Sequence, residues 1–284
     1  MDAGLATVVL GLTSALAWGT GDFGGGLISR RVPLFGVVAT TQVVGMVVAL
    51  AIALGRGEPV PTGADILWSA AAGVCGVAGM TLLYHGLAVG RMGIVSPTAG
   101  VVGAAVPVAV GFAIQGVPNV ATVIGIAVAL VSVVLVTRVP GHRTDRPSGV
   151  EWALLAGIAI GGFNICIGQL SGAGQFGPLV VLRAVQTVIL LTLIVAWRQP
   201  WRMRRSDVGR LAVVGVLDMT GNVAFIAAAQ AGALAVATVL ASLYPVVTVM
   251  LALTLLRERV TRGHLVGIFL TAAAIALIAV GTTG

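Results

Sequence analysis

Three charged side chains stand inside long apolar stretches of this sequence: Asp22, Arg183 and Asp218. A charge at the centre of a bilayer costs about 2.5–3.5 kcal/mol even on the mildest scale, so each should face a helix-bundle interior, paired or functional. A carboxylate there can take up a proton or bind a cationic group, whereas a guanidinium stays charged and can only meet an anion. Helical spacing sets Trp18 over Asp22 and Asp218 beside Asn222, each at i, i+4, and gives Arg183 and Gln186 a common face at i, i+3. One reading makes Arg183 the partner of an aspartate in a salt bridge that holds helices in register. Asp22 is then left over, which makes it the candidate for proton coupling.

Asp22 also sits within GTGDFG (19–24), which spells G-x-G-x-x-G. That pattern cradles a pyrophosphate only where a strand leads in and a helix opens out. The residues before it, LATVVLGLTSALAW (5–18), are apolar and small without strand-like alternation. A carboxylate inside a phosphate cradle would also repel its ligand. The bland reading is helix packing, since Gly21 and Gly25 form a small-xxx-small face. The functional reading is a loosened helix end lining a cavity.

Other polar residues carry less. Tyr84 and His85 lie near the end of the third span, and a lone histidine there reads as an interfacial or satisfied group. Tyr244-Pro245 reads as a kink with its hydroxyl toward a cavity, because proline frees a backbone carbonyl. Gln42, Gln169 and Gln230 are candidates to line a path, and Glu258, between Arg257 and Arg259, reads as a helix-end group. Cys75 and Cys166 each stand alone in an apolar segment, so the spacing suggests neither a disulfide framework nor a thiolate metal site. No nucleophile–base set is visible. Catalytic residues, cofactors and metals are therefore not expected.

The elements that position these residues follow from composition. The chain is 58% hydrophobic and 9% charged, with a mean hydropathy of +1.09, against about a quarter charged residues in soluble domains. All sixteen basic residues are arginine, which removes P-loop and Schiff-base lysine chemistry. A strongly basic balance in a soluble protein suggests nucleic acid, but these arginines lie between apolar segments, so lipid headgroups are the expected partners and nucleic acid is not. Charges, prolines and turns divide the sequence into ten segments of membrane-spanning length: 5–28, 34–54, 66–88, 93–114, 118–137, 150–170, 177–197, 208–231, 233–256 and 262–281. Spans of this length in hydrocarbon are helices. Trp68, Trp152, Trp197 and Trp201 fall near span ends, as an aromatic belt requires, and Trp18 does not. The N-terminus carries no basic leader pattern, and 5–28 reads as a retained span.

The sequence also repeats. Asp65 and Asp207, Gly73 and Gly215, Gly79 and Gly221, Gly90 and Gly232, Gly125 and Gly267, and Arg56 and Arg198 are all 142 residues apart. One gapless offset lays five spans on five, dividing the chain into 1–142 and 143–284. An odd number of spans per half inserts the halves with opposite orientation, the design of transporters whose substrate sits at the midplane between repeats. The expected fold is an all-α integral membrane protein of ten transmembrane helices in two inverted five-helix repeats. Under the repeat Asp22 superposes on Asn164.

ALAVATVLASLYPVVTVMLALTLLRERVTRGHLVGIFLTAAAIALI (233–278) resembles the C-terminal part of the EamA family of the drug/metabolite transporter superfamily. The likeness rests on a small-residue span, the mid-span Pro245, Glu258 before Thr261, and Gly267 in the last span. Trp18-Gly19 is similar to the pair that ends the family's opening helix. The resemblance covers the whole chain and implies ten helices moving small metabolites or drugs.

From these residues a secondary transporter is expected, an exporter of small polar or amphipathic metabolites. An amino-acid-like zwitterion is favoured: aspartates would meet its amine and Arg183 its carboxylate. The alternatives are a carrier of organic cations or hydrophobic drugs and, from another class, a membrane enzyme acting on a lipid-linked substrate. The substrate site is expected to comprise Trp18, Asp22, Asn164, Arg183, Asp218, Asn222 and Tyr244, with protons as the candidate coupling ion. Distances from span centres place Asp218 at the midplane and Asp22 displaced to the side opposite Asn164 and Arg183. The chain is expected in the plasma membrane as a monomer or homodimer. Fourteen of the sixteen arginines fall in the odd-numbered connections, which puts those in the cytoplasm and both termini outside. The family resemblance implies the opposite orientation.

Overall fold

Small residues, not polar ones, dictate how these segments meet. The computed structural model describes residues 3–115, 120–138, 147–167, 169–170, 174, 176–231, 240–241, 243–256 and 262–281. These form α1 (Ala3–Ile28), α2 (Leu34–Arg56), α3 (Ala64–Val89), α4 (Met92–Gln115), α5 (Val120–Arg138), α6 (Val150–Ile167), α7 (Phe176–Ala196), α8 (Arg205–Ala231), α9 (Tyr244–Leu255) and α10 (Arg262–Gly281). No strand occurs among the described residues. By length and composition, α2, α3, α6, α7 and α8 suffice to cross a membrane.

The ends have local causes. Gly57 closes α2 in the left-handed conformation (φ 63°), where the Gly57 and Glu58 amides reach back to the Leu54 and Ala53 carbonyls. Two departures from the sequence expectation stand out. The sixth helix stops at Ile167, three residues early, where the Gln169 and Leu170 amides turn back onto Cys166 and Ile167. In the ninth span Leu240 and Ala241 are helical, and α9 resumes at Tyr244 after a turn at Leu243, because Pro245 has no N–H to continue an incoming helix. Residues 232–239, and Glu258 and Thr261 of the family pattern, lie outside the described residues, as does the Gln230 side chain.

The packing obeys a twofold pattern. α1 lies on α8 as α6 lies on α3, α2 pairs with α7, and α5 pairs with α10. A Cβ at Gly73 would sit 2.9 Å from both the Leu182 carbonyl and the Val185 Cβ. At Gly215 it would sit 3.0 Å from the Thr41 carbonyl and 2.9 Å from the Val44 Cβ. Gly79 packs under Ile160 and Gly221 under Trp18, and those two partners are again 142 positions apart. The repeated glycines are thus close-approach points between the halves. Gly73→Ala and Gly215→Ala should each lower stability by about 1–3 kcal/mol, since the obstructing atom is a backbone oxygen that cannot rotate away. Paired melting curves in detergent check this. Matching losses are expected, and a neutral result at either position would break the equivalence.

The glycines around Asp22 belong to the same scheme. α1 runs unbroken through them, so the loosened helix end is not found. Gly19 faces α9, Gly21 and Gly24 face α8, and Gly25 and Gly26 face α3. A helix enclosed by three neighbours needs small residues all round.

On the face of the α2–α3 connection, Glu58 Oε2 accepts hydrogen bonds from the Phe176 and Gly177 amides at 2.7 and 3.2 Å. It thereby caps the positive end of α7. Cys75 and Cys166 are both free, but they are not isolated as their sequence positions suggested: their thiols face each other across α3 and α6.

Candidate functional site

Arg183 is 4% exposed and Asp218 9%, and they form a direct ion pair. The guanidinium is held on its other side by Gln42 Oε1, which accepts from Nη1, with Gln186 Oε1 more distant at 3.4 Å. α7 contributes Arg183 and Gln186, α8 Asp218 and α2 Gln42, so the predicted register-holding pair exists and extends into a three-helix polar cluster. Asn222 Nδ2 donates to the Asp218 carbonyl at 2.8 Å, one turn along α8.

Asp22 joins this cluster from α1. A Cβ at Gly21 would lie 3.8 Å from the Asp218 backbone nitrogen, so the antiparallel packing of α1 on α8 sets Asp22 level with Asp218. The two carboxylates lie within electrostatic reach of each other. This corrects the depth inferred from span centres: helices offset along their axes to fit glycines against ridges do not share a common midpoint. Asp22 is 9% exposed and makes no hydrogen bond or ion pair among the described residues.

Trp18 and Tyr244 pack against each other. Their rings meet edge to face, with centroids 6.4 Å apart, and Trp18 also tilts against Phe225 at 5.8 Å. Tyr244 lies within electrostatic reach of Asp22. Thr248 Oγ1 donates to the Gly19 carbonyl at 3.0 Å and ties α9 to α1. Of the seven residues expected in the site, Trp18, Asp22, Arg183, Asp218, Asn222 and Tyr244 therefore share one region.

Asn164 does not join them. It is exposed on α6, which packs on α3 and α4 and is not held against α8 among the described residues. The repeat relates Asn164 to Asp22, but α1 also lies against α3, and α6 makes no comparable contact with α8 among the described residues.

One residue of the cluster escaped the sequence reading. Tyr84 is 1% exposed, its ring occupies the space left by the missing side chain of Gly25, and it lies within reach of Asp22, Asp218 and Arg183. Its signal was available: Val77, Tyr84 and Leu87 continue the buried stripe of α3, and a buried tyrosine hydroxyl wants a polar partner.

The hydrogen-bond inventory of the cluster does not close. Arg183 Nε and Gln42 Nε2 are buried donors without a partner, and the Asp22 carboxylate is an unused acceptor. One arginine stands against two carboxylates, so the cluster carries one negative charge in excess when both are ionised. Buried polar atoms without partners are rare and costly, which marks them as places for a ligand or water. Among the described residues no group of three His, Cys, Asp or Glu could hold a metal ion.

The profile of the EamA-like transporter family matches this sequence twice, over residues 5–138 and 147–280. Together the two matches cover nearly the whole chain, and they begin 142 residues apart, the offset carried by the glycines. A match of this extent places the chain in a family of membrane transporters. The chain belongs to the EamA-like transporter family of the drug/metabolite transporter superfamily. No curated protein matches the sequence. Among solved structures, one described only as a crystal structure of a protein is similar with a TM-score of 0.65, covering 95% of each chain at 13% identity. At that identity the likeness speaks to the fold alone.

Proposed function

We propose that this protein is a secondary transporter that exports small polar or amphipathic metabolites, with an amino-acid-like zwitterion as the substrate class. The observation that carries this reading is the unclosed inventory: a free carboxylate at Asp22, and two free donors, Arg183 Nε and Gln42 Nε2, in one buried cluster. An ammonium group at Asp22 and a carboxylate at Arg183 and Gln42 would complete both. Trp18 and Tyr244 offer apolar ring faces to the remainder of such a molecule. Asp22 is the group that can exchange a proton for the substrate amine. Arg183 cannot, since it stays charged.

A second reading has its own support. Both terminal nitrogens of Arg183 are already engaged, so a carrier of organic cations that uses Asp22 alone fits the same region. The membrane-enzyme alternative gains nothing from the family. Transport in proteoliposomes against a panel of amino acids, amines and carboxylic acids, with and without a pH gradient, tests the assignment. Uptake of zwitterions enhanced by the gradient is expected. Uptake confined to amines would favour the second reading, and no uptake of any class would remove the function.

The ten helices are read as ten membrane crossings in two oppositely inserted units, 1–142 and 143–284, in the plasma membrane, working as a monomer or homodimer. ATP is not the energy source expected, since no lysine or nucleotide motif is present. The arginine count places both termini outside. Cysteines introduced at positions 2 and 284 should react with an impermeant reagent added to whole cells. Silent termini with a labelled 198–206 loop would reverse the orientation.

A further inference from the structure

The repeat relates Tyr84 to Ile226, Gly25 to Ile167, and Asp22 to Asn164. Related positions in a symmetric molecule should have like surroundings, and here they do not. On the arginine-rich face, that of the first and third connections, α1 and α3 are locked. A Cβ at Gly25 would overlap the Tyr84 ring and one at Gly26 would overlap Leu87, which is 0% exposed. Arg30 seals the end, with Nε and Nη2 both donating to the Leu87 carbonyl at 3.3 Å. On the opposite face the related helices α6 and α8 make no comparable packing among the described residues. Ile167 and Ile226 are only half-buried, and Asn164 is exposed.

We propose that Tyr84, Gly25, Gly26 and Leu87 form a gate on the arginine-rich face, closed in this structure, while its repeat-related counterpart at Ile167 and Ile226 stands open. The proposal rests on the transporter reading and adds which contacts open and close. It also adds an asymmetry. The closed gate carries a hydroxyl-bearing ring in the notch at Gly25, one helical turn from Asp22, whereas the opposite gate carries isoleucine at the same position. The substrate region is therefore wired to one gate and not to the other. A group bound at Asp22 lies one helical turn from the Tyr84 ring, and moving that ring out of the Gly25 notch is the step that parts α1 from α3.

The test reads conformation, not transport. In protein carrying Cys75→Ala and Cys166→Ala, Asn164→Cys should react with an impermeant maleimide applied to the face opposite the arginines. Gly25→Ala wedges the closed gate apart and should slow that labelling about tenfold, as a shift of the two-state population toward the other conformer would. Adding Tyr84→Leu removes the atoms the methyl strikes and should restore it. Equal labelling with and without Gly25→Ala would overturn the proposal.

A second arrangement needs no wedge. An Ile167→Cys/Ile226→Cys pair closed by a mild oxidant should make Leu87→Cys reactive from the arginine-rich face, and an unreactive Leu87→Cys would also overturn the proposal. If labelling behaves as expected while no substrate is moved, the transport reading fails and the gate stands. If substrate is moved but labelling at the two faces is independent, the gate fails alone.

Discussion

Asp22→Asn is expected to abolish pH-gradient-driven uptake and to weaken substrate binding about 10- to 100-fold, the factor that corresponds to losing one charge-assisted hydrogen bond of about 1.5–3 kcal/mol. Asparagine keeps the volume and the polarity but can neither ionise nor exchange a proton. The protein should remain folded, because Asp22 supports no hydrogen bond or ion pair among the described residues. Proteoliposome uptake with and without an imposed gradient, alongside a melting curve, measures both halves of this expectation. Unchanged gradient-driven transport would take Asp22 out of the mechanism.

Arg183→Met should have the largest structural effect. It leaves the Asp218 carboxylate buried beside Asp22 with no countercharge, at a cost of about 3–5 kcal/mol. The double variant Arg183→Met/Asp218→Leu removes both charges and should recover most of that stability, since apolar replacement of a complete buried pair is often neutral. Binding of a carboxylate-bearing substrate should not recover, because its donors are gone. Thermal unfolding of the two variants, with binding measured on the double variant, separates these contributions. A single variant as stable as the parent would show that the pair is not sealed from water.

The helices were legible because hydrocarbon leaves a spanning segment few options, and the ends of α2, α7 and α10 fall within about two residues of expectation for that reason. The repeat was legible because glycines at crossing points cannot drift: a side chain at Gly73 or Gly215 would strike the facing backbone, and one at Gly79 or Gly221 would strike Ile160 or Trp18. The charged members of the buried cluster were visible for the same energetic reason, since Asp22, Arg183 and Asp218 have no inexpensive place in lipid. Tyr84 was missed because the sequence gives only its place near a span end, whereas α1 and α3 close over it. Asn164 was placed in the site by symmetry, and symmetry of sequence does not require both halves to hold the same conformation at one time. The contact between Cys75 and Cys166 could not be read at all, because it depends on how α3 and α6 pair.

The central claim is that one buried cluster offers Asp22 to an amine and Arg183 with Gln42 to a carboxylate. Competition binding to the purified protein with a matched series tests it most directly: an amino acid, its methyl ester, which keeps only the amine, and its N-acetyl derivative, which keeps only the acid. The account predicts that the free amino acid binds best, that the ester binds about 10- to 100-fold more weakly, and that the N-acetyl form is lost with it. An ester that competes as well as the amino acid, in protein that still requires Asp22, would contradict the claim that the Arg183 and Gln42 donors receive substrate.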